Sequence, residues 1–312
     1  MAKCTIMKLN ESVNNPNLIG INETKLVYRK RSDDISVASI TLSNISSIPY
    51  VVRIIGDNYF TDSTGTENYG ITATAVLGGN TFYIKNKDCE LVIGDKHKVS
   101  VINTSGSGVT VIGKGFLVDT ENIRYMERLN GVYCLAGGLR GKLSDLSGLA
   151  LLSNLTVPSL SRSNLLTGDL SDLSELTALK YLSLAYQSGV SGDIASLNSV
   201  PIEYLSTIGT QIHGDLSSMK DKKNLRYVGG TSTMDYQYSD PTPRASDSYV
   251  MALNEINLKD DVDNYLIANA GCLKHPNVNS IVLWGNRTSS SDSAVTAIKA
   301  LGYTIMLNRE VL

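Results

Sequence analysis

The sequence predicts two kinds of structure in series: a β-rich, sandwich-like N-terminal domain over residues 1–118, then an irregular α/β solenoid of leucine-rich coils over residues 119–312. Three observations predict it. A phrase recurs four times between Leu139 and Gly230, short β-branched runs fill the first 118 positions, and strand-like and helix-like runs alternate from 249 to 307.

The β-domain is read from Thr24–Tyr28, Ile35–Leu42, Tyr50–Ile55, Gly70–Val76, Thr81–Lys85, Glu90–Ile93, Lys98–Ile102 and Val109–Ile112. Valine, isoleucine, threonine and tyrosine dominate these runs, and Gly, Asn and Asp fill the gaps between them, which is the signature of a sandwich. Around 117–128 the pattern changes. Asp119 or Thr120 is placed to cap a short helix there, which would seal the apolar end of the coils that follow.

The recurring phrase is Leu139-Arg140-Gly141-Lys142-Leu143, closed by Leu146. It returns as Leu166-Thr167-Gly168-Asp169-Leu170, and more loosely around Gly192-Asp193 and Gly214-Asp215, the four glycines lying 27, 24 and 22 residues apart. Spacings of this size belong to solenoids, whose units cannot bury their apolar side alone and therefore stack. Each unit carries a second signature of the form L-x-x-L-x-L: Leu152–Val157, Leu179–Leu184, Ile202–Thr207 and Leu225–Gly230. This is expected to be a short strand with its leucines turned inward. The glycine phrase should run along the opposite wall, with the aspartates as turn residues.

Beyond Thr231 the regularity breaks, and 235–245, with Pro241 and Pro243, reads as an insertion without regular structure. The order β-α-β-α-β follows over 249–307, with strands 249–253, 280–284 and 303–307 and helices near 259–270 and 291–301. Parallel strands joined by helices are the expected connection.

Composition excludes several functions. Lysine and arginine number 28 against 30 acids, so nothing draws the chain to nucleic acid or anionic lipid. No run approaches the ~20 apolar residues that cross a bilayer. The first ten residues lack the apolar core of a secretory signal, so use in the cytosol or release by another route, such as lysis, is expected. Cys4, Cys89, Cys134 and Cys272 have no metal or redox spacing. Gly108–Gly115 approaches a phosphate loop but lacks the Ser or Thr after Lys114 and has strand character. Asp260, Asp261 and Asp263 are better read as helix-opening acids than as a calcium loop. His97, His213 and His275 stand alone. No catalytic residue, cofactor or metal is assigned, and the chain is expected not to be an enzyme.

One constellation remains. Tyr181, Tyr204 and Tyr227 hold the same place in successive units, 23 and 23 residues apart, and Ser183 and Ser206 follow two residues after the first two. On a parallel sheet they form an aromatic row beside a polar one, suited to sugar faces or to the apolar patches of a protein partner. The rings could instead serve only to pack the sheet.

These repeats resemble leucine-rich-repeat proteins of gut Bacteroidales and of their tailed, crAss-like phages, in which L-x-G-[DN]-[LI] and L-x-x-L-x-[LV] recur. The asparagine ladder usual in such repeats is not found at Ala185, Thr207 or Gly230. The resemblance implies a fibre, collar or capsid-decoration protein. Residues 1–118 would dock onto other virion proteins, and the solenoid would face a host surface protein or glycan. It leaves a homo-oligomer open, and a bacterial cell-surface or secreted adhesin is the other reading.

Overall fold

The computed structural model describes, before residue 118, the backbone of ten strands, and beyond it residues 118–124, 129–133, 139–158, 165–234 and 236–312. The chain divides into two units, residues 1–152 and 153–312.

In the first unit the ten strands are β1 (Glu23–Arg29), β2 (Ala38–Leu42), β3 (Tyr50–Ile55), β4 (Tyr59–Thr61), β5 (Glu67–Tyr69), β6 (Thr72–Ala75), β7 (Asn80–Ile84), β8 (Asp88–Gly94), β9 (Val101–Asn103) and β10 (Val111–Lys114). All eight predicted runs overlap a strand. β4 and β5 were not foreseen, because Tyr59–Thr61 and Glu67–Tyr69 are too short to show a period of two. Antiparallel pairing links β1–β8–β3–β6 and β10–β2–β7–β4–β5. The packing of these sheets as a sandwich lies outside the described residues.

The same unit holds β11 (Val118–Asp119), the four-residue helix α1 (Thr120–Ile123), β12 (Gly131–Tyr133) and β13 (Leu139–Lys142). Neither predicted cap acts as one. Asp119 makes no side-chain cap bond and pairs instead with Arg140. The Thr120 hydroxyl accepts from the Lys142 amide at 2.9 Å and donates to Asp145 at 2.6 Å. It thereby ties the first glycine phrase to the segment before it.

The second unit is a stack of coils built on two parallel sheets, with few helices. One sheet runs β14 (Asn154–Thr156), β16 (Tyr181–Ser183), β18 (Tyr204–Ser206), β20 (Tyr227–Gly229), β22 (Ala252–Asn257), β23 (Ser280–Trp284) and β24 (Thr304–Leu307). The antiparallel strand β25 (Glu310–Val311) ends it. The other sheet runs β15 (Leu166–Asp169), β17 (Gly189–Asp193), β19 (Gln211–Asp215) and β21 (Tyr236–Gln237). Helices α2 (Val262–Asn269) and α3 (Asp292–Ala300) replace the second sheet in the last two coils.

Leucine pattern dictates this stack. In one coil Leu166, Leu170, Leu173, Leu176, Leu179, Leu182 and Leu184 are all fully buried. Each contributes roughly 1.5–3 kcal/mol, but only when the next coil covers it.

The glycine phrase has a sharper cause than a bend. After each such strand the chain enters a 3₁₀ turn, and Asp169, Asp193 and Asp215 cap these turns, accepting from Ser171, Ala195 and Ser217 amides at 2.9, 2.8 and 2.8 Å. In this sheet the phrases are staggered by two residues per coil, so Gly168 lies opposite Val190 and Gly192 opposite Ile212. Gly192 thus sits against Asp169 and Gly214 against Asp193, the aspartates of the coils before them. A Cβ on Gly192, where φ is +119°, would stand 2.8 Å from an Asp169 carboxylate oxygen and 2.8 Å from the Leu170 amide nitrogen. Only glycine fits.

Buried polar side chains bridge the coils in place of an asparagine ladder. Gln187, fully buried, donates to the Val157 carbonyl at 2.7 Å and accepts from the Leu166 amide at 3.0 Å. Thr207 donates to the Gly229 carbonyl at 3.0 Å and shares a 2.8 Å hydrogen bond with the Tyr236 hydroxyl.

The segment 235–245 is more regular than its prolines suggest. Tyr236 and Gln237 add strand β21, and Tyr236 and Tyr238 are fully buried. The acids do open α2 as expected, Asp261 at its N-cap position and Asp263 in its first turn, but no side-chain cap bond forms. Asp261 accepts from the Tyr238 amide at 3.0 Å, while Asp263 accepts from the Thr288 amide and hydroxyl and from the Ser291 hydroxyl, holding the next coil. Thr288 caps the short turn after it, accepting from the Ser290 amide at 3.2 Å. Among the described residues no helix is long and apolar enough to cross a membrane.

Candidate functional site on the tyrosine sheet

In the sheet that carries β16, β18 and β20 the stagger is zero, so Tyr181 pairs with Tyr204 and Tyr204 with Tyr227. All three are half-buried, and the leucine or valine that follows each is fully buried. Tyr204 and Tyr227 are stacked, with ring centres 4.6 Å apart and planes 6° apart; Tyr181 and Tyr204 are looser, at 6.4 Å and 25°.

The predicted serine row takes a different place. A Cβ on Gly229 would meet the Tyr227 hydroxyl at 2.8 Å, so this ring leans along its own strand over the residue two positions on. The equivalent positions are Ser183 and Ser206, and Ser206 is only 4% exposed. Small residues at these positions leave room for rings of this size, and Ser206 has little surface left to offer a ligand.

A second row was missed by the sequence reading. Lys180, Glu203 and Arg226 immediately precede the tyrosines and share their spacing of 23 and 23. Glu203 bonds to Lys180 at 3.2 Å and to Arg226 at 2.9 Å. Arg226 also donates to the Tyr181 hydroxyl at 2.7 Å, with its guanidinium 5.1 Å from the centre of that ring. Burial works against the charge of Glu203, but the bonds from Arg226 and Lys180 outweigh it and hold its carboxyl below the usual range. Burial and the neighbouring Tyr204 push Tyr227 up to about 12. Tyr249 and His275 continue this edge in T-shaped contact at 4.9 Å, and burial, reinforced by Arg226, lowers the His275 pKa.

Towards the last coils the same face changes character. The residues paired across it are Asn254, Val282 and Met306, followed by the exposed Val311. Beside them Trp284, the single tryptophan, donates to Glu255 at 2.8 Å and lies 5.3 Å beneath the Arg309 guanidinium. Its position at the end of a predicted strand was the available signal.

This arrangement decides what the row can recognise. Rings stacked on one another cover each other's faces, and Arg226 lies over Tyr181. What remains exposed is a line of ring edges beside paired charges, the Tyr181 hydroxyl being taken by Arg226. Sugar rings bind aromatic faces, whereas ring edges beside polar groups suit a protein surface.

A separate cleft of about 440 Å³ lies in the first unit, lined by Asp119, Thr120, Glu121, Arg124, Arg140, Lys142 and Asp145. Its acids and bases balance, and it favours no one ligand charge. In comparison with known proteins the chain matches no family model, no curated protein and no solved structure.

Proposed function

We propose that this protein is a non-enzymatic recognition component of a tailed-phage virion, with a leucine-rich-repeat solenoid that binds a protein partner. In this reading residues 1–118 dock onto other virion proteins, and the sheet bearing Tyr181, Tyr204 and Tyr227 faces the partner. The observation that carries the binding role is the in-register tyrosine stack, half-buried and flanked by the Lys180–Glu203–Arg226 row. Half-exposed tyrosine and arginine clusters are what binding hot spots are made of. The virion setting rests on the resemblance of the repeated motifs.

Two experiments test the proposal. Antibody against the chain should label purified phage particles, and a label confined to the bacterial envelope would move the protein to an adhesin. Fluorescent full-length protein should bind host cells, with Tyr204→Ala weakening binding at least tenfold while melting stays within a few degrees of the parent. Binding should fall after protease treatment of the cells. Loss after periodate oxidation instead would make the ligand a glycan. A Tyr204→Ala variant that melts far lower yet binds normally would make the stack scaffolding only.

A further inference from the structure

Among the described residues Arg244 is the one Lys, Arg, Asp or Glu that is buried, at 4% exposure. It belongs to the segment that crosses from the fourth glycine phrase to β22. Its amide donates to the Ala268 carbonyl at 2.9 Å and its Nη2 to the Lys222 carbonyl at 2.9 Å. Its Nε and Nη1 have no oxygen or nitrogen acceptor and the buried Ser248 hydroxyl has no partner, while the Tyr238 hydroxyl, reached by the Asn269 side chain, has no acceptor for its own proton.

These groups share one neighbourhood. Tyr238 feels the charge of Arg244 and packs edge-on against Tyr265 at 5.5 Å. Ser248 donates its amide to Ala245, next to Arg244, and accepts from the amide of Leu273, next to Cys272. Cys272 is buried beside the guanidinium, which bonds to its sulfur, but burial raises the pKa of the thiol, so a neutral sulfur supplies no counter-charge. The acids around this segment are committed elsewhere. Asp240 pairs with Lys220 and accepts from Thr242, Asp247 pairs with Lys223 at the surface, and Asp261 accepts from Tyr238 and Asn264.

A guanidinium removed from water without a counter-charge costs several kcal/mol. The open donors here are the Nε and Nη1 nitrogens of one cation, with three N–H bonds between them, and two hydroxyls. We propose that Arg244, Tyr238 and Ser248 enclose a buried monovalent anion of the chloride class. One positive charge matches one negative charge, and hydroxyl donors complete a small halide shell. A doubly charged phosphate would leave a net charge buried. The bound ion pins the 236–248 segment onto the coil beneath it.

The test is thermal melting of the full chain at fixed ionic strength, with sodium gluconate exchanged stepwise for chloride or bromide. The melting temperature should rise along a saturating curve, by about 3 °C at tenfold excess over Kd. Arg244→Gln should melt alike in both salts. If that variant does not fold, bromide in crystals of the parent protein decides. An anomalous peak within hydrogen-bond distance of Nε and Nη1 supports the proposal. Identical melting in both salts, a non-saturating linear dependence, or a water at the guanidinium would overturn it.

Discussion

Replacing Gly192 with alanine should cost about 2–5 kcal/mol. The backbone there holds φ at +119°, where an L-residue pays roughly 1–3 kcal/mol. The new methyl group would also stand 2.8 and 2.9 Å from the two Asp169 carboxylate oxygens and 2.8 Å from the Leu170 amide nitrogen. The carboxylate can swing away, at the loss of its cap on the turn, worth about 1 kcal/mol. Leu170 cannot, because it opens the turn and its side chain is fully buried. Urea unfolding followed by far-ultraviolet circular dichroism reads the loss as a lower midpoint at unchanged slope. Asp169→Ala made in both backgrounds completes a cycle. Removing the carboxylate relieves part of the clash, so the double variant should be about 0.5–1 kcal/mol more stable than additivity predicts. Gly271→Ala is the control, since a Cβ there meets nothing within 4 Å. If Gly192→Ala unfolds within about 0.5 kcal/mol of the parent, the stacking of glycine on aspartate does not exist as described.

Three further outcomes are expected. Gln187→Ala strands the Val157 carbonyl and the Leu166 amide between coils, and should cost about 2–4 kcal/mol in the same unfolding assay. Burial opposes ionisation of Asp263, but bonds from Ser291 and Thr288 outweigh it, so its folded pKa lies below the usual value. Its contribution to stability is therefore present above the unfolded carboxylate value of about 4 and lost as pH falls through the folded one; melting curves of Asp263→Asn should be flatter than those of the parent below pH 5. Tyr227 has its folded pKa raised to about 12, so its stabilising effect holds below the unfolded value near 10 and disappears as pH climbs through the folded value. Phenolate absorbance at 295 nm should show Tyr227→Phe losing a late-titrating group, and loss instead of a group titrating near 10 would contradict the burial assigned to the stack.

Much of this was legible because leucine periodicity is a direct record of burial. The strands at 181–183, 204–206 and 227–229 and the β-α-β-α-β end follow from spacing alone, since one-sided burial permits little else. The errors have a common origin in contacts between coils. Asp119 and Asp261 stand at N-cap positions and Asp263 in a first turn, as sequence proximity indicates, yet no side-chain cap bond forms. In the stack the carboxylate one coil away is as near as the one beside it, so Asp263 serves Thr288 and Ser291. Gln187 and Thr207 were passed over for the same reason: a single polar residue among leucines has no local signature of the backbone it bridges. The prolines at 241 and 243 obscured Tyr236 and Tyr238, which are core residues. The charged row escaped because lysine, glutamate and arginine share a spacing but not a chemistry.

The two sheets of the second unit answer differently to the drift in repeat length, and this bears on where recognition can sit. The first coil is equally long on both sides, Gly141 to Gly168 and Asn154 to Tyr181 each spanning 27 residues, and thereafter the glycines lie 24 and 22 apart and the tyrosines 23 and 23. On the glycine side successive phrases slip by the same two residues at both steps, so the change from 24 to 22 is taken up in the connections between the two sheets. A slip of two is tolerated because side chains alternate with period two, so every inward leucine stays inward; a slip of one would turn the whole set out. On the tyrosine side no slip occurs, and the rings can stack only because it does not. A two-residue stagger there would set each tyrosine beside a serine or glycine of the next coil and separate the aromatic groups. The fixed register is thus a physical requirement of the row itself, and a partner that spans three coils meets the same tyrosine edge at each of them.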